Sequence, residues 1–178
     1  MLITISGLPG SGTSTVAKRV AAELGFAHLD GGTVFRQLAA DRGMTLAAFG
    51  AYAEEHPEID VELDGRLAAR ARTGDVVLES RLAGWIAVNE QLSGLRVWIA
   101  CDEIVRAARV ARRDLLDVES ALAANRAREA SERARYARYY GIDITDLGIY
   151  DLVLDSTSAA PEDLAAAVIA RARAVSGE

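Results

Sequence analysis

The chain is short of the side chains that most often carry chemistry. Among its 178 residues there is one cysteine, Cys101, and there are only two histidines. A single thiol excludes an internal disulfide and a cysteine-built metal site. Of the 20 basic residues only Lys18 is a lysine; the others are arginine. Chemistry that needs positive charge therefore falls to guanidinium groups, which fork around phosphate oxygens where an ammonium is a mobile point charge. Positive charge is also outnumbered. The net charge is −6, which argues against a nucleic-acid-binding surface, since such domains are basic. No stretch reaches the ~18 apolar residues that a membrane span needs. The N-terminus opens directly on Leu2-Ile3-Thr4-Ile5, with no basic region and no long apolar run, so no signal peptide is expected. These absences lead to the expectation of a soluble, reduced, cytoplasmic domain.

What remains is globular. Hydrophobic residues make up 51% and charged residues 26%, and this length buries a real core in one domain. Met1 to Ser6 is short, apolar and β-branched, as a buried strand is. Val16, Val20 and Leu24 recur at helical spacing, and Gly25 closes that helix. Phe26 to Asp30 reads as a second strand. Helices are expected over 33–42, from an N-cap at Thr45 toward His56, and over 59–73. Strands follow at 76–79 and 95–100. Asp102 caps the next helix, 118–140 is a long polar helix or a broken one, and 141–149 is rich in turns. Leu152-Val153-Leu154 is a last strand, and Pro161 opens the final helix. Continuous apolar strands alternating with helices predict a parallel sheet covered on both faces.

Between the first strand and helix lies Gly7-Leu8-Pro9-Gly10-Ser11-Gly12-Thr13-Ser14, which fits G-x-x-x-x-G-x-[ST]. Glycines let backbone N–H groups curl around phosphate oxygens, and the helix N-terminus adds positive potential. The Ser14 hydroxyl is placed to ligate Mg²⁺ on a nucleotide. The lysine usual before that hydroxyl is Thr13 here, which offers a hydrogen bond and no charge. Lys18 lies four residues after Ser14 on the same helix, where it is expected to point away from the phosphates.

A second group of residues suits an acceptor. Asp30-Gly31-Gly32 permits close approach, and Arg36, about a turn into the next helix, can fork a monophosphate or can simply be a surface arginine. Arg81 emerges at the carboxyl end of the strand 76–79, where open α/β sheets bind ligands. Glu79 can orient a metal-bound water or a ligand hydroxyl, and Trp85 can flank a base or, equally, be a core or surface tryptophan. Arginines then crowd the segment 106–140. Arg106, Arg109 and Arg113 share a helical face, and Arg126, Arg128, Arg133, Arg135 and Arg138 follow. Some belong to solvated i,i+4 pairs, such as Arg128 with Glu132. Placed in a closing lid, others stabilise charge on a transferring phosphoryl group.

Several long segments carry a family resemblance: ISGLPGSGTST, FRQLAADRGMTLAAFGAYAEEHPEID, VVLESRLAGW and RYARYYGIDITDLGIYDLVLDST. Together with the Leu29 to Arg36 pattern LD-x-G-x-x-[FY]-R, they resemble the archaeal-type cytidylate kinases, a branch of the nucleoside monophosphate kinases. The resemblance covers nearly the whole chain. It implies an α/β P-loop nucleoside monophosphate kinase fold, with a five-stranded parallel sheet flanked by helices and a lid. It implies one kinase domain over 1–178: phosphate loop and substrate entry in 1–32, NMP-binding helices in 33–74, core in 75–105, arginine-rich lid in 106–140, and core with the C-terminal helix in 141–178. ATP and Mg²⁺ are implied, with CMP or dCMP as acceptor. Carried over, Gly7, Leu8, Pro9, Gly10, Ser11, Gly12, Thr13, Ser14 and Thr15 hold ATP, and Ser14 holds the metal. Asp30, Gly32, Arg36 and Arg81 hold the acceptor. Arg109, Arg113 and Arg128 act at the transfer step, with Arg133 a further candidate. Two departures stand out: Thr13 in place of lysine, and Ser80 where a glycine is expected before Arg81. Two other functions remain open: a nucleotide-binding module with lost or reduced transfer chemistry, and another small P-loop kinase with a different acceptor. A monomer is expected.

Overall fold

The computed structural model describes residues 1–177; Glu178, the last residue of the expected domain, lies outside them. Five strands form one sheet in the order β2-β3-β1-β4-β5, and every neighbouring pair is parallel. They are β1 (Leu2–Gly7), β2 (Ala27–Asp30), β3 (Val76–Glu79), β4 (Gly94–Ala100) and β5 (Leu152–Asp155). Among the described residues eight helices connect and cover them: α1 (Thr13–Leu24), α2 (Gly31–Asp41), α3 (Leu46–Glu55), α4 (Pro57–Ala71), α5 (Ala83–Asn89), α6 (Glu103–Asp114), α7 (Val118–Tyr140) and α8 (Pro161–Ser176). No helix among the described residues is long and apolar enough to cross a membrane.

The sheet is apolar on both faces because both are covered. Ile3, Ile5, Val97 and Ile99 pack against Val16 and Val20 of α1 and Val168 of α8. On the other face Leu2, Val76, Leu78 and Trp98 meet α4, α5 and Tyr136 of α7. A smaller cluster, Leu38, Phe49 and Ile59, holds α2, α3 and α4 together away from the sheet. Short polar caps set the helix starts. The Asp30 carboxylate accepts from the Gly32 amide at 2.8 Å, Asp102 from the Ile104 amide at 2.8 Å, and Asp117 from the Ser120 amide at 2.8 Å.

Most expected elements are present, with instructive differences at their edges. Pro57 ends α3, as its chemistry requires, and also supplies the first turn of α4, which therefore begins before Ile59. Proline is well suited there, because the N–H it lacks has no partner in a first turn anyway. Gly31 and Gly32 open α2 instead of forming a loop before it. Helix α7 is unbroken over 23 residues. The short helix α5 was not expected; its few residues carry no full apolar stripe of their own.

Register places the chemistry. Asp30 pairs with Glu79, Glu79 with Ile5, and Gly7 with Ile99. The phosphate loop, Asp30 and Glu79 thus share the carboxyl edge. β1 has β3 on one side and β4 on the other, so the chain direction across the sheet reverses there, the position where open α/β sheets hold ligands. Ile5 is fully buried at the centre of this arrangement. Its replacement by alanine is expected to cost about 2–5 kcal/mol of unfolding free energy in urea titration; a change under about 0.5 kcal/mol would contradict this placement of the core.

Candidate active site

The turn after β1 is held open from behind by three arginines. Gly10 and Gly12 adopt φ of 84° and 89°, a region that only glycine enters without strain. A Cβ on Gly10 would also lie 2.5 Å from the Arg106 carbonyl oxygen. Arg81 donates from Nη1 to the Gly7 carbonyl, Arg106 from Nη1 to the Pro9 carbonyl at 3.2 Å, and Arg109 approaches the Gly10 carbonyl at 3.4 Å. Thr13 and Ser14 lie in the first turn of α1, where N–H groups have no intrahelical acceptor. The turn thus combines carbonyls engaged by protein with free amides at a helix N-terminus, which is an anion-binding arrangement.

Glu79 closes one side of the turn. Ser14 Oγ donates to Glu79 Oε1 at 2.5 Å, and Thr13 Oγ1 donates to the same oxygen at 2.8 Å. The other carboxylate oxygen shares a hydrogen bond with His28 Nε2 at 3.1 Å. Glu79 is buried, and it has no arginine partner among the described residues. A buried carboxylate met only by hydroxyls and one imidazole suits a hard cation that brings its remaining oxygen ligands with it. Among the described residues no group of three or more His, Cys, Asp or Glu is positioned to hold a metal alone.

The acceptor candidates divide between surface and interior. Asp30, Thr33 and Arg36 form a cluster at the start of α2: Thr33 donates to Asp30 at 2.6 Å, and Arg36 donates to Thr33 at 2.7 Å and to Asp30 at 3.3 Å. Burial works to raise the Asp30 pKa, but the Thr33 hydroxyl, the Gly32 amide and Arg36 together hold it below the usual range. Arg36 itself is 57% exposed, so it is free to turn toward a ligand. Arg81 is interior. Besides the Gly7 carbonyl, it meets Glu132 of α7, Nε to Oε2 at 2.7 Å. Burial opposes its charge, and Glu132, with Tyr136 and Glu129, more than restores it. Ser80 is accommodated at the expected glycine position because its neighbour is a glycine: a Cβ on Gly31 would lie 2.7 Å from the Ser80 Cβ.

The expected transfer arginines are not equivalent. Arg109 is bound at the phosphate loop and also donates to the Ser156 hydroxyl at 3.0 Å and its carbonyl at 2.6 Å. Arg113 lies a turn farther along α6, 67% exposed, and pairs with its neighbour Asp114. Arg128 is 60% exposed and reaches Glu132 Oε1 at 2.8 Å. Arg133 borders a surface recess with Asp143 and Thr145. Lys18 is exposed on α1. Helices α6 and α7 form a hairpin, joined in addition by the buried Arg106 to Glu129 and by Arg126 to Glu103 at 2.8 Å.

Three functional candidates are absent from the sequence reading: Glu132 as an interior carboxylate, and Asp60 and Asp64; Arg135 is named there only among the arginines of the lid segment. Arg135 Nε lies 2.8 Å from Asp60 Oδ2, both nearly buried. The spacing Asp60–Asp64 is the signal that was available, because i and i+4 share a helix face. Asp64 is pushed up to about 7, chiefly by burial. In the unfolded chain this carboxyl titrates near 3.8. Between those values the folded chain binds the extra proton, so stability is present at low pH and lost as pH rises to about 7. The melting temperature of Asp64→Asn relative to the parent is therefore expected to rise from about pH 5 to about pH 8. A difference that does not change with pH would contradict the burial of this carboxyl.

The model of the cytidylate kinase-like family matches residues 2–158. A cytidylate kinase of Pyrococcus furiosus is 47% identical over 168 residues, covering 94% of this chain and 86% of the relative. A cytidylate kinase of Halobacterium salinarum is 48% identical over 163 residues, covering 91% and 84%. Among solved structures, shikimate kinase from Acinetobacter baumannii superposes with a TM-score of 0.62 at 17% identity, covering 99% of this chain and 93% of that one. A gluconokinase from Sinorhizobium meliloti gives 0.61 at 17% identity, covering 98% and 95%. These structural likenesses establish the fold, and the sequence relatives go further: the chain belongs to the cytidylate kinase-like family.

Proposed function

We propose that this chain is a (d)CMP kinase, transferring the γ-phosphoryl group of ATP to CMP or dCMP. An oxygen of the acceptor phosphate attacks the γ-phosphorus, the bond to the β–γ bridging oxygen breaks, and ADP leaves with that electron pair. No protein nucleophile is required, so the chain's work is positioning and charge stabilisation. The observation that carries the reading is the end of β3. Within three residues it offers Glu79 to the Ser14 hydroxyl and Arg81 to the phosphate loop. One strand end thereby joins a donor-side site to an acceptor-side cation.

Roles follow from that arrangement. Residues Gly7 to Thr15 hold the phosphates of ATP through backbone amides and the start of α1. Ser14, with Glu79 behind it, would hold Mg²⁺, which when bound neutralises charge on the donor phosphates. Arg81 and Arg36 hold the acceptor phosphate, with Asp30 and Gly32 fixing the start of α2 around it. Arg109 stabilises charge at the transfer step. Arg113 and Arg128 join it from the exposed side of the α6–α7 hairpin when that hairpin closes as a lid. Every one of these residues comes from one chain, so a monomer suffices. Its nucleotide substrates suit the cytoplasm.

Thr13 favours a second reading, a nucleotide-binding module whose transfer chemistry is reduced. Its hydroxyl is bonded to Glu79, and it supplies no charge. The two are separated by one coupled assay of diphosphate formation from CMP, dCMP, UMP and AMP, run on the parent chain and on Thr13→Lys. The kinase reading expects turnover by the parent with CMP and dCMP ahead of the others, and no gain from the new lysine. No turnover by the parent with any acceptor, with a gain of about 10²-fold or more in Thr13→Lys, would support the module instead.

A further inference from the structure

Glu79 is held at both of its oxygens, and phosphoryl transfer as proposed leaves one of its partners without a task. Oε1 accepts from Ser14 Oγ and Thr13 Oγ1. Oε2 lies 3.1 Å from His28 Nε2. The sheet register explains the meeting. On the parallel strands β2 and β3, His28 pairs with Val77 and Asp30 with Glu79. Side chains alternate along a strand, so His28 and Glu79 point to the same face of the sheet. That face is covered by α1, since Val77 shares a core cluster with Val16 and Val20, and α1 begins at Thr13. Both side chains are largely withdrawn from water, His28 at 18% exposure and Glu79 at 8%.

Chemistry fixes the direction of the hydrogen bond. A carboxylate only accepts, so the hydrogen lies on His28 Nε2. The terminal torsion of a glutamate is broad, and a carboxylate bonded through one oxygen alone is free to turn. With donors on both oxygens its plane is fixed. Oε1 is then kept where it takes the hydrogen of Ser14 Oγ, which leaves the lone pairs of that hydroxyl for a cation. In such low-dielectric surroundings these bonds are stronger than at the surface.

We propose that His28 is a positioning residue for the metal site: it acts through Glu79 on Ser14 and sets how strongly Mg²⁺ is held with ATP. The proposal rests on Ser14 being the metal-bearing residue of a (d)CMP kinase, and it adds the residue that orients it. Hydrogen-bonding groups one step behind a metal ligand govern metal affinity, and losing one costs about 10–100-fold. His28 makes no contact with the phosphate loop's backbone amides in this arrangement. Its loss therefore weakens the metal contact and leaves the grip of those amides on the phosphates unchanged.

Titration calorimetry tests this by measuring ATP binding with Mg²⁺ and with EDTA, on the parent chain, His28→Leu and His28→Gln. The parent is expected to bind ATP at least about tenfold more tightly with Mg²⁺. His28→Leu, which has no donor, should lose about tenfold in that ratio while binding metal-free ATP as the parent does. His28→Gln, whose amide restores an N–H toward Glu79, should keep the ratio within about threefold of the parent. The ring gives a second reading that needs no variant at position 28. Nitrogen NMR of the parent should show hydrogen on His28 Nε2, with His56→Gln separating the two histidines. Five results overturn the proposal: a parent with no Mg²⁺ advantage, an advantage unchanged in His28→Leu, an equal loss with and without metal, no recovery in His28→Gln, or a bare Nε2 in the parent. Equal loss is the signature of a residue that only packs β2 against α1. If the parent forms CDP while any of these holds, positioning by His28 fails and the kinase reading stands. If the expected pattern is found but no CDP forms, the reverse holds.

Discussion

The buried contact between Arg81 and Glu132 is the constraint on which the carboxyl edge of the sheet depends. An isolated charge in that position is costly, and removing one member of such a pair strands the other. Arg81 is fixed by β3, Glu132 by α7, and the Gly7 carbonyl by β1. One guanidinium therefore ties two strands and a distant helix to the first residue of the phosphate loop. Arg106 and Arg109 repeat the pattern from α6 onto the Pro9 and Gly10 carbonyls. Behind the loop, three arginines occupy carbonyl oxygens; in front, the first turn of α1 presents unpaired amides. Carbonyls held away from a bound anion are a form of preorganisation, since that geometry need not be assembled during the reaction.

This arrangement bears directly on the missing lysine. Thr13 places a hydroxyl where a cation is usual, and that hydroxyl is already committed to Glu79. In the proposed enzyme, positive charge comes instead from Arg81, just after β3, and from Arg106 and Arg109 of α6, as guanidinium groups locked by several partners each. Arginine suits this task, because its planar fork loses little freedom per hydrogen bond formed. The composition then has a structural counterpart. The chain keeps its one lysine on an exposed face of α1 and builds its interior cationic positions from arginine.

Local features of the sequence translated well, and long-range pairings did not. The apolar runs of β1, β3 and β4 gave the buried strands, and Thr45, Asp102 and Pro161 marked helix starts, because each is a property of a few adjacent residues. The phosphate loop and Glu79 at a strand end were legible for the same reason. Arg106, Arg109 and Arg113 share helical spacing, yet Arg106 is interior and Arg113 pairs with Asp114 at the surface. Spacing cannot reveal how far along its length a helix is covered. Glu132 reads in sequence as half of an i,i+4 pair with Arg128; its second partner, Arg81, is 51 residues away. Asp60 and Arg135 are likewise joined only once α4 and α7 pack together.

The central claim is that arginines, and no lysine, supply the cationic charge for phosphoryl transfer. The most direct test is Lys18→Ala, which leaves a chain with no lysine at all. Its steady-state rate of CDP formation at saturating ATP and CMP should match that of the parent within about twofold, whereas Arg81→Ala should lose about 10²-fold or more. Collapse of turnover on removal of Lys18, with Arg81→Ala retaining most of its rate, would contradict the account.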